Sequence, residues 1–208
     1  MKRPIRSLLI AGGAYLAAQM LADIASLRII EVAGNAVDAG TLIYPFTFTI
    51  RDLIHKIAGQ SAARTLIFLA AGINLFMAGF FWLVARLPDD PFTGPQPEFG
   101  TTLSPVWGIV TASIVAEVVS ELIDTETYQR WANRFGERLQ WGRVLTSNAL
   151  AIPVDSAVFV GLATLFGAFP SEVAWSILWV NVVFKGVVTV ISIPWIYWVR
   201  PQPLSVST

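Results

Sequence analysis

Residues Thr65 to Ala85 read TLIFLAAGINLFMAGFFWLVA, a run that contains no charged side chain. A helix needs roughly 20 mostly apolar residues to cross a hydrocarbon core of about 30 Å. This stretch meets the requirement and predicts a transmembrane helix. Four further stretches qualify in the same way: Ile5 to Ala22, Pro105 to Ile123, Val144 to Phe166 and Val173 to Val199.

The composition of the whole chain agrees with a membrane protein. Of its 208 residues, 55% are hydrophobic and only 13% are charged, against about 25% charged in soluble domains. Basic and acidic residues balance at 14 each without forming a basic stripe, which argues against nucleic acid as a partner. There is no cysteine and a single histidine, His55, so we expect no disulfide, no metal and no other cofactor.

A sixth span is ambiguous, because Thr41 to Ile50 is apolar for only ten residues before charged residues follow. The basic residues decide the point, since short cytoplasmic loops carry the excess of Lys and Arg. With six spans and a cytoplasmic N terminus, only Arg28 and Arg86 face outward and Lys185 lies within a span. The other eleven face the cytoplasm: Lys2, Arg3, Arg6, Arg51, Lys56, Arg64, Arg130, Arg134, Arg138, Arg143 and Arg200.

Five spans would leave more basic residues outside, so the six-span topology is favoured. The apolar run at the N terminus lacks the small-residue cleavage site of a signal peptide and is interpreted as a retained first span. We therefore predict an all-α integral membrane protein with six transmembrane helices, both termini cytoplasmic, and a single transmembrane domain over residues 1–208. The segment Gln129 to Arg143 is interpreted as a short interfacial helix or a solvated basic connector.

Polar side chains inside the spans are costly in lipid and usually face a cavity or each other. Three spans carry them at helical spacing, on one face of each helix: Glu117, Glu121 and Asp124 in the fourth, Asn148 and Asp155 in the fifth, Asn181 and Lys185 in the sixth. The second span adds Asp52. These faces predict a buried polar site between spans two, four, five and six.

Several of the polar residues also have structural interpretations, which stay open at this point. These are interhelical hydrogen bonds for Gln19 and Asn74, helix ends near the headgroups for Asp23 and Asp124, a positive-inside anchor for Arg51, and a counter-ion to Asp155 or Glu117 for Lys185. Carboxylates still outnumber the one deeply buried cation. This excess predicts groups that are protonated, hydrated or available to a ligand with donor groups.

Four short motifs follow in order along most of the chain. They are Pro45-Phe46-Thr47-Phe48 with Asp52 and Gly59; Thr111-Ala112-Ser113 with Ala116, Ser120 and Asp124; Ser147-Asn148 with Asp155-Ser156 and Phe159; and Phe184-Lys185 with Pro194. Together they resemble the queuosine precursor transporters, the vitamin uptake transporter family of YhhQ-like proteins. The resemblance implies six transmembrane helices, no enzymatic activity, and uptake of 7-deazaguanines such as preQ0, preQ1 or queuine across the bacterial inner membrane.

The ligand that this resemblance implies is a small-molecule deazapurine, and the polar residues suit it. A carboxylate can accept hydrogen bonds from the ring N–H and the exocyclic amine together. An amide or ammonium group can donate to the carbonyl, and an aromatic side chain can lie against the flat ring. The candidate substrate-binding residues are Phe48, Asp52, Trp107, Glu117, Glu121, Asp124, Asn148, Asp155, Asn181 and Lys185.

Glu121 stands where relatives often have glutamine, and Glu117 lies one helical turn earlier. Two like charges this close raise the proton affinity of the pair, so we expect pH-dependent, proton-coupled transport. Two other functions stay open: a substrate-binding membrane subunit energised by a separate ATPase, and an intramembrane enzyme using Asp124 and Asp155. Phosphate-binding and nucleophile motifs are missing. The expected surroundings are the lipid bilayer, and the choice between monomer and homodimer stays open.

Overall fold

The computed structural model describes residues 3–135 and 140–198 of the chain. Its elements are α1 (Arg3–Ala25), β1 (Ile29–Val32), β2 (Asn35–Asp38), the short 3-10 helix η1 (Ala39–Leu42), α2 (Tyr44–Val84), α3 (Pro97–Leu103), α4 (Val106–Phe135), α5 (Gln140–Leu165) and α6 (Ser171–Trp198). Within the described ranges, five helical segments are long and apolar enough to cross a membrane: Ile5–Ala25, Ser61–Val84, Pro97–Asp124, Leu145–Leu165 and Ser171–Ile191. The helical character of the fold is confirmed, and the five clearest predicted spans coincide with these five candidate segments.

The ambiguous sixth segment is helical but is not one of these five. Helix α2 contains a break at Gly59, where φ is 85° and ψ is 171°. Glycine adopts positive φ without steric cost, so the chain changes direction here between two helical parts, 44–58 and 60–84. The first part carries charged residues between 51 and 56, which lowers its hydropathy below that of the other spans.

The sequence analysis missed a β-hairpin between α1 and α2. Strands β1 and β2 pair antiparallel, with Ile29 opposite Asp38 and Val32 opposite Asn35. The two turn residues, Ala33 and Gly34, both have positive φ, at 51° and 79°. That combination is typical of the type I′ turn, whose twist matches the twist of a hairpin. The hairpin leads directly into η1 and then α2, and β2 packs against α6.

Helix α4 is longer than the span predicted for it. It continues to Phe135, and α5 begins at Gln140, so the segment interpreted as an interfacial helix or connector is divided: residues 129–135 extend α4, residues 140–143 begin α5, and residues 136–139 lie outside the described part of the chain. Glu126 and Arg130 form an ion pair four residues apart on this exposed end, with Nε and Oε1 separated by 2.7 Å. Such spacing places both side chains on one helix face.

Small and branched apolar side chains hold the helices together. Ile109 and Ala112 of α4 pack with Val160 and Ala163 of α5 and with Ile177 of α6 in one buried cluster. Alanine at such contacts lets helix backbones approach closely. A separate cluster of Tyr15, Ile67 and Ala70 joins α1 to α2. Large apolar side chains remain exposed on the outward faces, as expected where lipid is the solvent; among them are Phe68, Phe76 and Trp175.

A candidate substrate cavity between the helices

The interior of the helix bundle is rich in polar side chains. Those that are buried are Gln19, Asp23, Ser26, Asp38, Thr41, Thr47, Arg51, Asn74, Ser113, Glu117, Ser120, Ser147, Asn148, Asp155, Ser156, Asn181 and Lys185. They come from every long helix and from the hairpin end. Polar groups at this depth require partners, because neither lipid nor apolar side chains can satisfy them.

The centre of this interior is an ion pair between α5 and α6. The Nζ of Lys185 lies 2.6 Å from the Oδ2 of Asp155, and the two side chains are 2% and 1% exposed. The Ser120 hydroxyl on α4 donates to the other carboxylate oxygen at 3.2 Å. Pro153 lies two residues before Asp155 inside α5, and it frees one backbone carbonyl of the helix. The counter-ion interpretation of Lys185 is confirmed.

Aromatic rings of α2 surround the same ammonium group. The Nζ of Lys185 lies 4.5 Å from the ring centre of Tyr44 and 5.8 Å from that of Phe48. The two rings meet edge to face, with centres 5.4 Å apart. Cation–π contacts at such distances are favourable and stronger when desolvated. The first part of α2 therefore faces the site predicted between spans two, four, five and six.

Glu117 on α4 takes its hydrogen bonds from α1. The Tyr15 hydroxyl and the Nε2 of Gln19 both donate to its Oε1, the latter at 3.0 Å. Gln19 also donates to the Tyr15 oxygen at 3.0 Å. The interpretation of Gln19 as an interhelical hydrogen-bonding residue is confirmed. Sequence analysis missed Tyr15, although its spacing of four residues from Gln19 places both on one face of α1.

Arg51 is not the surface anchor that the sequence suggested. It is 5% exposed, and its guanidinium lies 5.2 Å from the ring centre of Phe48. One of its terminal nitrogens lies 3.6 Å from the Oδ2 of Asp124. Asp124 therefore contacts a cation from α2 instead of marking a free helix end near the headgroups. Attraction between opposite charges in a poorly hydrated interior outweighs the pull of the interface on this arginine.

Asp23 lies two residues before the end of α1 but is buried in the bundle. Its side chain is 2% exposed, and the Nδ2 of Asn74 on α2 donates to its Oδ2 at 2.7 Å. Asn74 thus forms the interhelical hydrogen bond that the sequence suggested. The Oδ1 of Asn74 is buried and has no hydrogen-bond partner among the residues that the structure describes.

A hydrogen-bonded closure joins the hairpin end to α1 and α6. Asp38 accepts from the Ser26 hydroxyl at 2.8 Å, from the Thr41 backbone N–H at 3.1 Å and from the Thr41 hydroxyl at 2.6 Å. The Thr41 hydroxyl also contacts the side-chain amide of Asn181. Gly40 packs so tightly here that a Cβ would lie 2.0 Å from the Ser26 Oγ. We call Ser26, Asp38, Gly40 and Thr41 the outer closure.

Beneath the outer closure lies a small cavity, which in this conformation of the helices has room for about one water molecule, so a bicyclic ligand would require its walls to move apart. Its walls combine charged, amide, hydroxyl and aromatic groups: Ala22, Asp23, Ser26, Asp38, Gly40, Thr41, Tyr44, Ser113, Phe159, Asn181 and Lys185. No cluster of three His, Asp or Glu side chains that could hold a metal occurs in residues 3–135 and 140–198, as far as their side chains are described.

The predicted site residues divide into four groups. Asn181 and Lys185 line the cavity, and Asp155 and Phe48 contact Lys185. Glu117, Asp124 and Asn148 are buried or half-buried in the same interior but do not line the cavity. Trp107 lies elsewhere, 47% exposed and packed against Phe166. The side chains of Asp52 and Glu121 lie outside the described part of the chain.

Most residues that line the cavity were not predicted as ligands, among them Asp23, Asp38, Thr41 and Tyr44. Asp23 had a detectable signal, because Tyr15, Gln19 and Asp23 recur every four residues and form a polar stripe on α1. Asp38 and Thr41 had none, since their position depends on the hairpin folding back against α6.

The chain was compared with curated proteins, solved structures and family models. Searches among curated proteins and among solved structures gave no significant match. A family model described as "Putative vitamin uptake transporter" matches residues 38–199, from the outer closure to the end of α6. Five apolar helices and a buried polar interior are what a multi-pass membrane transporter requires. The chain belongs to the vitamin uptake transporter family.

Proposed function

We propose that this transporter imports 7-deazaguanine precursors of queuosine, the class that includes preQ0, preQ1 and queuine, through the cavity beneath the outer closure. The observation that carries the proposal is the composition of the cavity wall. It brings an ammonium group, an amide, carboxylates and aromatic rings together around one small cavity. The polar groups can form hydrogen bonds with the edge of a guanine-like ring, and the aromatic rings can stack on its face.

The acceptor side of the ring meets α6. Asn181 and Lys185 lie four residues apart and both line the cavity, so their amide and ammonium groups can donate to the ring carbonyl together. Asp155 holds the Lys185 Nζ at 2.6 Å and acts as a positioning residue for it. Tyr44 and Phe159 offer flat faces on which the bicyclic ring can stack.

The donor side of the ring meets Asp23. Among the carboxylates favoured by the sequence, Asp155 is engaged by Lys185 and Asp124 contacts Arg51. Asp23 lines the cavity and accepts a hydrogen bond from Asn74 through Oδ2. Its other oxygen, Oδ1, is then the acceptor that we assign to the donor edge of the ring, where the ring N–H and the exocyclic amine lie side by side.

The proposal includes the six-span topology with both termini in the cytoplasm of a bacterial inner membrane. The basic residues support this orientation. Asp23 is close to the end of α1 and Ser113 is close to the start of α4, so both lie in the outer half of the membrane in this topology. The cavity would then open outward beneath the hairpin, on the side from which an imported ligand arrives.

Energy coupling is proposed to involve protons and Glu117. Glu117 is 6% exposed and its Oε1 receives hydrogen bonds from Tyr15 and Gln19 of α1. A carboxyl group that exchanges its proton would change this contact between α1 and α4. Such a change links protonation to the relative position of two spans.

The intramembrane enzyme is disfavoured by the pairing of its two candidate aspartates. Asp124 lies 3.6 Å from Arg51, and Asp155 lies 2.6 Å from Lys185. Acid catalysis by an aspartate pair needs two carboxyl groups that share a site and a proton. Each aspartate here has a different cation as its neighbour, which favours fixed charges over proton sharing.

Equilibrium binding to the purified protein tests the proposal. We expect a 7-deazaguanine to bind the parent protein and Asp23→Asn to bind it about 10- to 150-fold more weakly, because one hydrogen bond to a charged group is lost. Asp89→Asn, on the exposed loop between α2 and α3, is the matched control and should bind as the parent does. Failure of every deazaguanine to bind the parent would contradict the proposed ligand, and equal binding by Asp23→Asn would contradict the proposed donor-edge contact.

A further inference from the structure

The charges of the cavity do not balance. Three charged side chains line it, namely Asp23, Asp38 and Lys185. The positive charge of Lys185 is already matched by Asp155 at 2.6 Å. In the described part of the chain, no lysine or arginine forms an ion pair with Asp23 or Asp38.

The partners of these two carboxylates are neutral. Asn74 donates to Asp23, and Ser26 and Thr41 donate to Asp38. Hydrogen bonds from neutral groups stabilise a buried carboxylate, but they leave its charge uncompensated, which is costly in a poorly hydrated interior. The donor edge of a guanine-like ring is also neutral, so it leaves both negative charges in place.

Resting on the proposed function, we infer that the cavity selects a ligand that carries a positive charge, a heterocycle with a protonated primary amine, and that Asp38 pairs with this ammonium group. A primary aliphatic amine resembles the lysine side chain, whose pKa is about 10.4, and is protonated at neutral pH. Its charge would reduce the excess negative charge that the neutral ring cannot reduce.

Asp38 has the acceptor capacity for this contact. A carboxylate offers roughly four acceptor positions over its two oxygens. The Ser26 hydroxyl and the Thr41 N–H bind Oδ1, and the Thr41 hydroxyl binds Oδ2. One position on Oδ2 is left for an ammonium N–H. The same carboxylate belongs to the outer closure, so a cationic ligand would bind directly beneath it and strengthen it.

Two ligands that differ in one substituent test the inference. A 7-deazaguanine with an aminomethyl group at position 7 is a cation at neutral pH, whereas the 7-cyano analogue has the same ring and is neutral. We expect the purified full-length protein to bind the aminomethyl ligand about 10- to 150-fold more tightly. Isothermal titration calorimetry in detergent measures both affinities without any variant.

Asp38→Asn assigns the contact. Asparagine and aspartate are about equally favourable at the N-cap of a helix. The variant therefore keeps a capping side chain at position 38 and removes only the negative charge. In this variant the aminomethyl ligand should bind at most about twofold more tightly than the cyano ligand, because only hydrogen bonds between neutral groups then distinguish the two. The affinity for the cyano ligand should stay nearly the same. Asp89→Asn, on the exposed loop between α2 and α3, is the matched control, since it removes one negative charge away from the cavity and should keep the preference.

The outcomes separate this inference from the proposed function. Equal binding of the two ligands to the parent protein would overturn the charge selection and leave the deazaguanine assignment standing. Binding of neither ligand would overturn both. A preference that survives Asp38→Asn but disappears in Asp23→Asn would overturn the assignment to Asp38.

Discussion

Two ion pairs of nearly equal length lie in contrasting regions of this transporter. Lys185 and Asp155 meet at 2.6 Å between α5 and α6 with side chains 2% and 1% exposed, while Arg130 and Glu126 meet at 2.7 Å on the end of α4 with side chains 79% and 62% exposed. An exposed pair contributes about 0–1 kcal/mol. Removing one partner of a buried pair costs about 3–5 kcal/mol, because the other charge is left unpaired.

The distance between two charges therefore says little about how much the pair contributes to stability. A buried pair is rarely the most stable choice, since well-packed apolar residues of similar volume are often as good. A buried pair whose lysine also lines a cavity is therefore better explained by a ligand than by stability. The outer closure is intermediate, with a buried carboxylate held by neutral donors.

The largest effect is expected from Lys185→Met. It leaves Asp155 buried without its cation, so the free energy of unfolding should fall by about 3–5 kcal/mol. The double variant Lys185→Met with Asp155→Asn removes both charges and should recover most of that loss. Thermal unfolding in detergent measures both. Equal unfolding temperatures for the single and double variants would show that the pair is hydrated and not buried.

Gly40→Ala should have an intermediate effect on stability. The new Cβ would lie 2.0 Å from the Ser26 Oγ and 2.5 Å from the backbone oxygen of Ala22, and the backbone cannot yield easily. Overpacking of this kind costs about 1–3 kcal/mol. Gly161→Ala is the control, because a Cβ there meets nothing within 4 Å. Equal thermal unfolding of the two variants would contradict the tight outer closure.

Glu117→Gln should remove the pH dependence of transport. Uptake by the parent is expected to change between pH 5 and pH 8, because the carboxyl group of Glu117 is proposed to take up and release the coupled proton. Glutamine keeps the acceptor oxygen for Tyr15 and Gln19 but cannot carry the proton. Glu172→Gln, at the exposed start of α6, is the matched control. Identical flux by the parent across this range would exclude Glu117 from coupling.

The smallest effect is expected from Glu126→Gln. This substitution breaks the exposed pair on α4, so stability should change by about 1 kcal/mol or less and uptake should not change. Thermal unfolding and uptake assays check both. A loss of stability comparable to that of Lys185→Met would contradict the contrast between the two pairs. A loss of uptake would place the end of α4 in the transport mechanism.

Much of this architecture could be predicted from sequence because it depends on local patterns. Long apolar runs identified the five clearest spans, and helical spacing placed Asn181 and Lys185 on one face. The counter-ion Asp155 was also among the predicted partners of Lys185. A single lysine among several carboxylates leaves few ways to satisfy its charge, which made that pairing detectable.

The rest depends on contacts between segments that are distant in the chain. Asp38 becomes a cavity residue only because the hairpin folds back and η1 packs against α1 and α6. The strand signal was short, four residues on each side of Ala33 and Gly34. Arg51 was interpreted as an interfacial anchor because a hydropathy profile cannot show its contact with Asp124, which lies on another helix. Trp107 was predicted from its residue type alone, and the structure places it against Phe166.

Uptake of a radiolabelled 7-deazaguanine by proteoliposomes measures whether this protein transports the proposed ligand through the charged cavity. The parent protein is expected to give saturable accumulation above that of empty liposomes. The folded double variant Lys185→Met with Asp155→Asn should give none, because its stability is kept while the charges at the cavity are removed. Accumulation by the double variant equal to that of the parent, or no accumulation by the parent above empty liposomes, would contradict the account.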